Sequence, residues 1–574
     1  MNPTKAGCLF RLALRSSALL LVLGIQGYAT RHERFIDAWR PTNFNITIRL
    51  DDRLAEITKA RTEITVEALK EKLTLVDLDF GEMAVDTVWI DGKAAQFDRT
   101  PGLLNVHLQN AANKGQRFVV SVEYHGKPKD GLILTNDKDG KPSATGDNWP
   151  DRVHHWIPCL DHPSAKATVR FTVTAPAKDL VVANGRLDQV TNDSPGTRTW
   201  AYTEAVPIPA YCMIIAVGDY AKSEPATSAV TPLTYYVPQS EAKKAMRGFA
   251  AAAPSLKFFS EAIARYPYEK LALIVGATRF GGMENSSAIV FAENFLGQRS
   301  GLPRLSRAFN INEALEEVVA HEIAHQWFGD SVTESTWSDL WLSEGFATYF
   351  AGLVVEKYDG ADAFHAYMKR AAESYFLYEK KSRTPIHDTE TEKLFDLLNE
   401  NNYQKGAWVL HMLRSQLGDD AFFRGLRIYY YAHKDSTAKT DDLRAALEKT
   451  SGKDLKEFFA RWVYGSGHPQ YELSWGTAKY AGAGGSLMIT LKQTQPDEAF
   501  LDPVPIEVTS YDYRSSDRGS AKRRLWIQPT SKVTTAQFRL NAREVPTNVQ
   551  LDPDDTLLKE PVVSSIKQVK PVAP

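Results

Sequence analysis

Cysteine is nearly absent, with three in 574 residues. That scarcity excludes a disulfide-stapled scaffold and any all-thiolate zinc or iron–sulfur centre. Only Cys159 and Cys212 lie beyond the first thirty residues, and they read either as a pair or as two buried small hydrophobes. Neither sign of charge dominates: 68 Lys and Arg stand against 70 Asp and Glu, a net of −2. No global basic excess exists to grip a phosphate backbone, so nucleic acid is not an expected partner. Beyond residue 30 no apolar run approaches the roughly 20 residues of a membrane-spanning helix. Internal repeats and low-complexity blocks are also missing. What is present, 43% hydrophobic and 24% charged residues, suits a globular chain of several domains and excludes disorder, a coiled-coil rod and collagen.

The first residues follow different rules. Lys5, Arg11 and Arg15 form a positive region, an apolar run from Ala18 to Ile25 follows, and Gly27-Tyr28-Ala29 offers small residues at the two positions a signal peptidase inspects. The arginines interrupt the run too early for an anchor. Residues 1–29 therefore read as a cleaved signal peptide, and the mature chain as exported, periplasmic or secreted, without a stable membrane anchor.

From Asn43 to about Tyr235 the pattern is short and alternating, as in Ile46–Leu50, Phe118–Val122 and Val169–Val173. This predicts a mostly antiparallel β domain, residues 30–238. From 239 to 467 the period turns helical, with amphipathic runs at Asp362–Glu379, Tyr403–Leu417, Asp419–Tyr431 and Asp441–Lys449, the last capped by Thr440 or Asp441. Residues 468–560 return to strands, likeliest at Ser486–Lys492, Ile506–Tyr511 and Leu525–Gln528, and 561–574 read as a flexible tail. The Thr135–Lys141 stretch imitates a calcium loop, but its first and last ligand positions fall on Thr135 and Gly146, so a hairpin turn is expected.

The chemistry concentrates in His321-Glu322-Ile323-Ala324-His325, inside an amphipathic run from Asn310 to Trp327. Histidines four apart share a helix face and can reach one ion, while Glu322 sits beside that ion without ligating it. A catalytic site of this type needs a third protein ligand and an open fourth position. Glu344, in Trp341-Leu342-Ser343-Glu344-Gly345, follows His325 after eighteen residues and opens a second helical run to about Tyr358. A His-His-Glu donor set suits zinc, one ion per chain. Asp339 reads either as a partner for a ligand imidazole or as a helix N-terminal charge. Gly281-Gly282-Met283-Glu284-Asn285 follows the strand-like run Leu271–Val275. Its glycines would let a substrate backbone approach an edge strand, and Glu284 offers a carboxylate to an α-ammonium; an ordinary turn is the competing reading.

Together, Gly-Gly-Met-Glu-Asn, His-Glu-x-x-His and the later Glu344 resemble the aminopeptidase N-like zinc peptidases, the gluzincin aminopeptidases. Pro158-Cys159-Leu160-Asp161, Gln326-Trp327-Phe328-Gly329 and Tyr403-Gln404-Lys405-Gly406 extend the resemblance over about Asn43 to Pro469. It implies a three-domain α+β member: an N-terminal antiparallel β domain, a thermolysin-like α-rich catalytic domain and a small C-terminal β domain. It further implies zinc on His321, His325 and Glu344, Glu322 as general base, Glu284 on the substrate amine, Tyr403 on the oxyanion, and peptides with a free N-terminus as substrates. Relatives place a Glu or Gln before the Pro-Cys segment as a second grip on the amine; here Asp147, Asn148 and Asp151 are the candidates. The leukotriene hydrolase branch has a tyrosine where this chain has Leu398, which argues against a lipid-epoxide hydrolase. Glu284 argues against an endopeptidase, and the complete ligand set against a non-catalytic peptide-binding module.

Overall fold

The computed structural model describes residues 36–225, 230–297, 313–479, 485–512, 520–541, 543–562 and 564–566. The signal-peptide reading, the beginning of the amphipathic run at Asn310 and most of the expected tail lie outside them. The architecture is mixed α and β. An N-terminal β-rich region is followed by a helical region, and the chain ends in β sheets.

Alternation of apolar and polar residues builds the first region. Its largest sheet has eight strands, centred on Trp39–Leu50, Ile57–Ala68, Lys166–Pro176 and Arg117–Gly126. Trp39–Leu50 pairs antiparallel with Ile57–Ala68 and parallel with Lys166–Pro176. Phe44, Ile46 and Ile48 point into the core at every second position. A smaller sheet contains the hairpin Leu132–Asn136 and Pro142–Gly146. Between them, Asp137 Oδ1 accepts hydrogen bonds from the backbones of Asp139 and Lys141. The calcium-loop imitation is the expected hairpin turn.

A five-stranded mixed sheet straddles the junction of the β-rich and helical regions; of its three strands beyond residue 239, the sequence pattern suggests one, Leu271–Val275. Its order is Tyr220–Ser223, Leu233–Pro238, Leu271–Gly276, Ala288–Ala292, Gly282–Met283. The first helices, α1 (Ala242–Gly248) and α2 (Ala252–Ala262), form the crossover between parallel strands Leu233–Pro238 and Leu271–Gly276. Leu271–Gly276 is buried throughout, as a parallel strand covered on both faces must be. Gly282–Met283 is an edge strand.

The remaining helices are α3 (Glu313–His325), α4 (Trp341–Asp359), α5 (Ala361–Glu379), α6 (Gly406–Leu417), α7 (Asp419–His433), α8 (Thr440–Ser451) and α9 (Lys456–Trp462). Two expectations need correction. The run from Tyr403 does not open a regular helix: Asn401–Lys405 is a π turn, with the Lys405 backbone bonded to Glu400 O, and α6 begins at Gly406. Thr440 is the first residue of α8 rather than its cap; the Asp442 carboxylate accepts from the Lys439 backbone instead.

The regions are tied by specific polar contacts. Lys166 sends its ammonium to the carbonyls of Asp330 and Ser331, both at 2.7 Å, joining the large sheet to the turn after α3. Asp502 accepts from Trp462 Nε1 at 2.7 Å and from Gln416, anchoring the C-terminal sheets on α9 and α6. Cys159 and Cys212 are both buried, and no disulfide joins them. Among the described residues no helix is long and apolar enough to cross a membrane.

Candidate functional site

Helix α3 presents His321, Glu322 and His325 along one edge, and α4 packs beside it. Their junction is the turn through Gly329, whose φ of +125° is open to glycine. A Cβ on Gly329 would lie 3.0 Å from His325 Nδ1 and closer still to the Ser343 hydroxyl. The missing side chain lets Ser343 reach the imidazole. His325 Nδ1 faces the Phe328 carbonyl at 3.2 Å and Ser343 Oγ at 3.0 Å. Those contacts orient the ring with its Nε2 toward the site.

Three donor atoms converge. His321 Nε2 and His325 Nε2 stand 3.0 Å apart, and Glu344 Oε2 lies 3.2 Å and 3.3 Å from them. Atoms bound at about 2.0–2.1 Å around one tetrahedral ion are separated by roughly 3.3 Å. The donor set fits a divalent cation. Glu284, Glu322 and His325 form a second, overlapping acidic group.

The electrostatics also favour a cation. Glu284, Glu322 and Glu344 are buried together. Burial, reinforced by its carboxylate neighbours, pushes Glu322 well above the usual carboxylate range. Burial likewise lifts Glu284 to about 7, with Glu344 and Asp147 adding to it. Against its own burial, His325 is pushed up to about 10 by the same carboxylates. A concentration of negative charge of this kind, away from water, calls for a positive ion.

Close backbone approaches place the other groups. A Cβ on Gly282 would lie 2.6 Å from Glu322 Cγ and nearer still to its carboxylate. The edge strand therefore packs directly on Glu322. Gly345 and Gly406 face each other, each lacking the Cβ that would meet the other's Cα at 2.9–3.0 Å. That glycine contact brings the π turn against α4, and Tyr403 stacks on His321 with ring centroids 5.8 Å apart and planes 5° from parallel. Burial and the Glu344 charge keep the Tyr403 hydroxyl protonated. Gln326 links the pieces: its Nε2 donates to Glu284 O at 2.7 Å and Asp330 Oδ2 at 2.8 Å, while its Oε1 accepts from the Ser287 backbone at 2.8 Å. Glu284, Glu322, Glu344, the two histidines and Tyr403 line a cavity of about 420 Å³ that also reaches Trp149, Phe280 and Leu398.

The sequence model of the peptidase family M1 domain matches residues 248–462, and that of the peptidase M1 N-terminal domain matches residues 40–212. The chain belongs to peptidase family M1. Among its M1 relatives, probable aminopeptidase 2 of Sulfurisphaera tokodaii is 29% identical over 404 residues, covering 69% of this chain and 50% of the relative. Aminopeptidase M1 of Arabidopsis thaliana is 31% identical over 377 residues, 64% of this chain and 41% of the relative. Aminopeptidase 2 of Candida albicans is 27% identical over 453 residues, 75% of this chain and 47% of the relative. The chain spans about half the length of these curated relatives. Its C-terminal β sheets lie beyond both M1 matches.

In this M1 chain the structure brings His321, Glu322, His325, Glu344, Glu284 and Tyr403 around one cavity. Gly281, Gly282 and Met283 line it as well, whereas Asn285 is fully buried behind them. Asp339 does not serve the imidazoles. Its Oδ1 accepts from Thr440 N at 3.1 Å and Thr440 Oγ1 at 2.7 Å, holding the start of α8. The imidazole partner is Ser343, one residue before Glu344 and invisible to a search for acids. None of the three proposed amine-gripping residues lines the cavity. Asp147 is occupied by Arg152 at 2.9 Å and Thr278 at 2.8 Å. Asn148 bonds Met213 O and Trp156 Nε1. The side chain this segment sends into the cavity is Trp149.

Proposed function

We propose that this M1 peptidase is a zinc-dependent aminopeptidase that hydrolyses the first peptide bond of peptides with a free amino terminus. The observation that carries the reading is the convergence of His321, His325 and Glu344 beside an edge strand, Gly282–Met283, that is followed directly by the buried Glu284. Its M1 relatives named as aminopeptidases point the same way.

His321, His325 and Glu344 would hold the zinc, which when bound supplies a Lewis acid for the scissile carbonyl and for the attacking water. Glu322, pressed against Gly282 and made more basic by burial, takes the proton of that water and returns it to the leaving nitrogen. Tyr403 keeps its proton and donates a hydrogen bond to the developing oxyanion. Glu284 receives the substrate ammonium, so the chain enters by one residue and the terminal bond alone reaches the reacting groups. The edge strand pairs with the substrate backbone. The segment from Lys5 to Ala29 supports export to the periplasm or beyond.

The test is a panel of aminoacyl fluorogenic amides, free and N-acetylated, with and without a chelator. Cleavage of free amides, lost on chelation and on acetylation, is expected. Cleavage of acetylated amides at the free rate would overturn the role of Glu284, and chelator resistance would overturn the metal mechanism.

A further inference from the structure

The cavity has two ends. Glu317 lies one turn before His321 on α3, whereas Glu284 is held at the far end of the helix by Gln326. A residue whose amine rests on Glu284 lies beside the edge strand Gly282–Met283, so its side chain faces what flanks that strand. The flank is aromatic. Trp149 is edge-on to Phe280 at 6.1 Å and 86°, and edge-on to Phe395 at 5.7 Å and 84°. Phe280 and Phe395 stack at 6.2 Å and 19°, and Leu398 adds an apolar wall. Trp149 is itself fixed from behind by Trp337 at 5.8 Å and 84°. The bond from Thr278 Oγ1 to Asp147 Oδ1 ties the Trp149 segment to the Phe280 segment, so the wall is built before substrate arrives. Charges behind it are neutralised: Arg152 lies over the Phe395 ring at 5.6 Å and is paired with Asp147 and Asp130, both at 2.9 Å.

We propose that Trp149 and Phe280, with Phe395 packed against both rings, form the seat for the side chain of the N-terminal residue and make this enzyme select large apolar and aromatic residues. The inference rests on Glu284 as the amine anchor. An apolar side chain leaving water for this seat contributes its burial and its edge-to-face contacts. A lysine or glutamate would bring an unpaired charge against aromatic rings.

The zinc-loaded enzyme is assayed for kcat/KM on Phe, Leu, Ala, Lys and Glu aminomethylcoumarin amides. Phe and Leu are expected to exceed Ala by about tenfold or more, with Lys and Glu below Ala. Phe280→Ala and Phe395→Ala are then compared with wild type; Phe395 is 43% exposed, so its loss leaves the core intact. Each should lower the Phe-to-Ala ratio at least severalfold. Calorimetry on Glu322→Gln with L-phenylalaninamide and L-lysinamide reads binding without turnover, and the aromatic amide should bind more tightly. Lys or Glu amides cleaved as fast as Phe, or ratios unmoved in both variants, would overturn the seat while leaving the aminopeptidase reading intact. Inactivity on every free amide would overturn that reading and the seat with it.

Discussion

Replacing Gly282 by alanine isolates the position of one carboxylate from the stability of the fold. The added Cβ would stand 2.6 Å from Glu322 Cγ, where ordinary contact begins at 3.4 Å. The Glu322 side chain must therefore retreat by about 1 Å, a misplacement that costs on the order of 10²-fold in rate when it befalls a reacting group. Glu322 can make that retreat by changing its side-chain angles, so the backbone of the edge strand and the ligand triad stay in place. The expected result is a fall of about a hundredfold in kcat with metal content and Tm close to wild type. Gly281→Ala is the companion measurement. Its Cβ meets nothing within 4 Å, so kcat should hold within about twofold and any change should appear in KM. A Gly282→Ala enzyme that turns over like wild type, with its metal retained, would refute the claim that Glu322 must sit against this strand to move the proton.

Further outcomes follow from the same geometry. Glu322→Gln should keep its metal and lose about 10²-fold or more in kcat, read by steady-state kinetics alongside metal analysis. Tyr403→Phe removes a hydroxyl while keeping the ring stacked on His321, so kcat should fall about 10²-fold with KM little changed. His154 answers a question of pH and stability. Burial alone would lower it, but the hydrogen bond and charge of Asp161 raise it to about 8, above its unfolded value near 6.5. The pair's contribution is fully present below about pH 6.5 and is lost as pH rises through about 8. The Tm deficit of His154→Gln should therefore be larger at pH 6 than at pH 9, and an equal deficit at both would contradict the pairing.

Much of this molecule was legible from local pattern, because the relevant physics is local. Period-2 runs became the strands Trp39–Leu50 and Lys166–Pro176, and helical periods became α4, α5 and α7. His321 and His325 had to share an edge once their segment was helical, and eighteen intervening residues suffice for a turn and a second helix. What escaped depends on partners far apart in sequence. The strand Ala288–Ala292 is a short apolar run that periodicity cannot separate from a buried helix. The π turn at Asn401–Lys405 is linked to the contact between Gly345 and Gly406, sixty-one positions apart. Asp339 turned away from the imidazoles because the start of α8, a hundred residues on, presents two donors to it. The family resemblance points to an acid or amide in the Asp147–Asp151 segment. Asp147 and Asn148 are committed to buried hydrogen bonds, and the neighbouring tryptophan carried no polar signal that would have drawn attention to it.

The central claim is that three side chains from two adjoining helices hold one zinc ion, and elemental analysis of the purified protein tests it most directly. One zinc per chain is expected, falling to near zero in a Glu344→Ala, His325→Ala double variant that still folds by circular dichroism. A wild-type protein that binds no zinc even after dialysis against it, or a double variant that retains a full equivalent, would contradict the account.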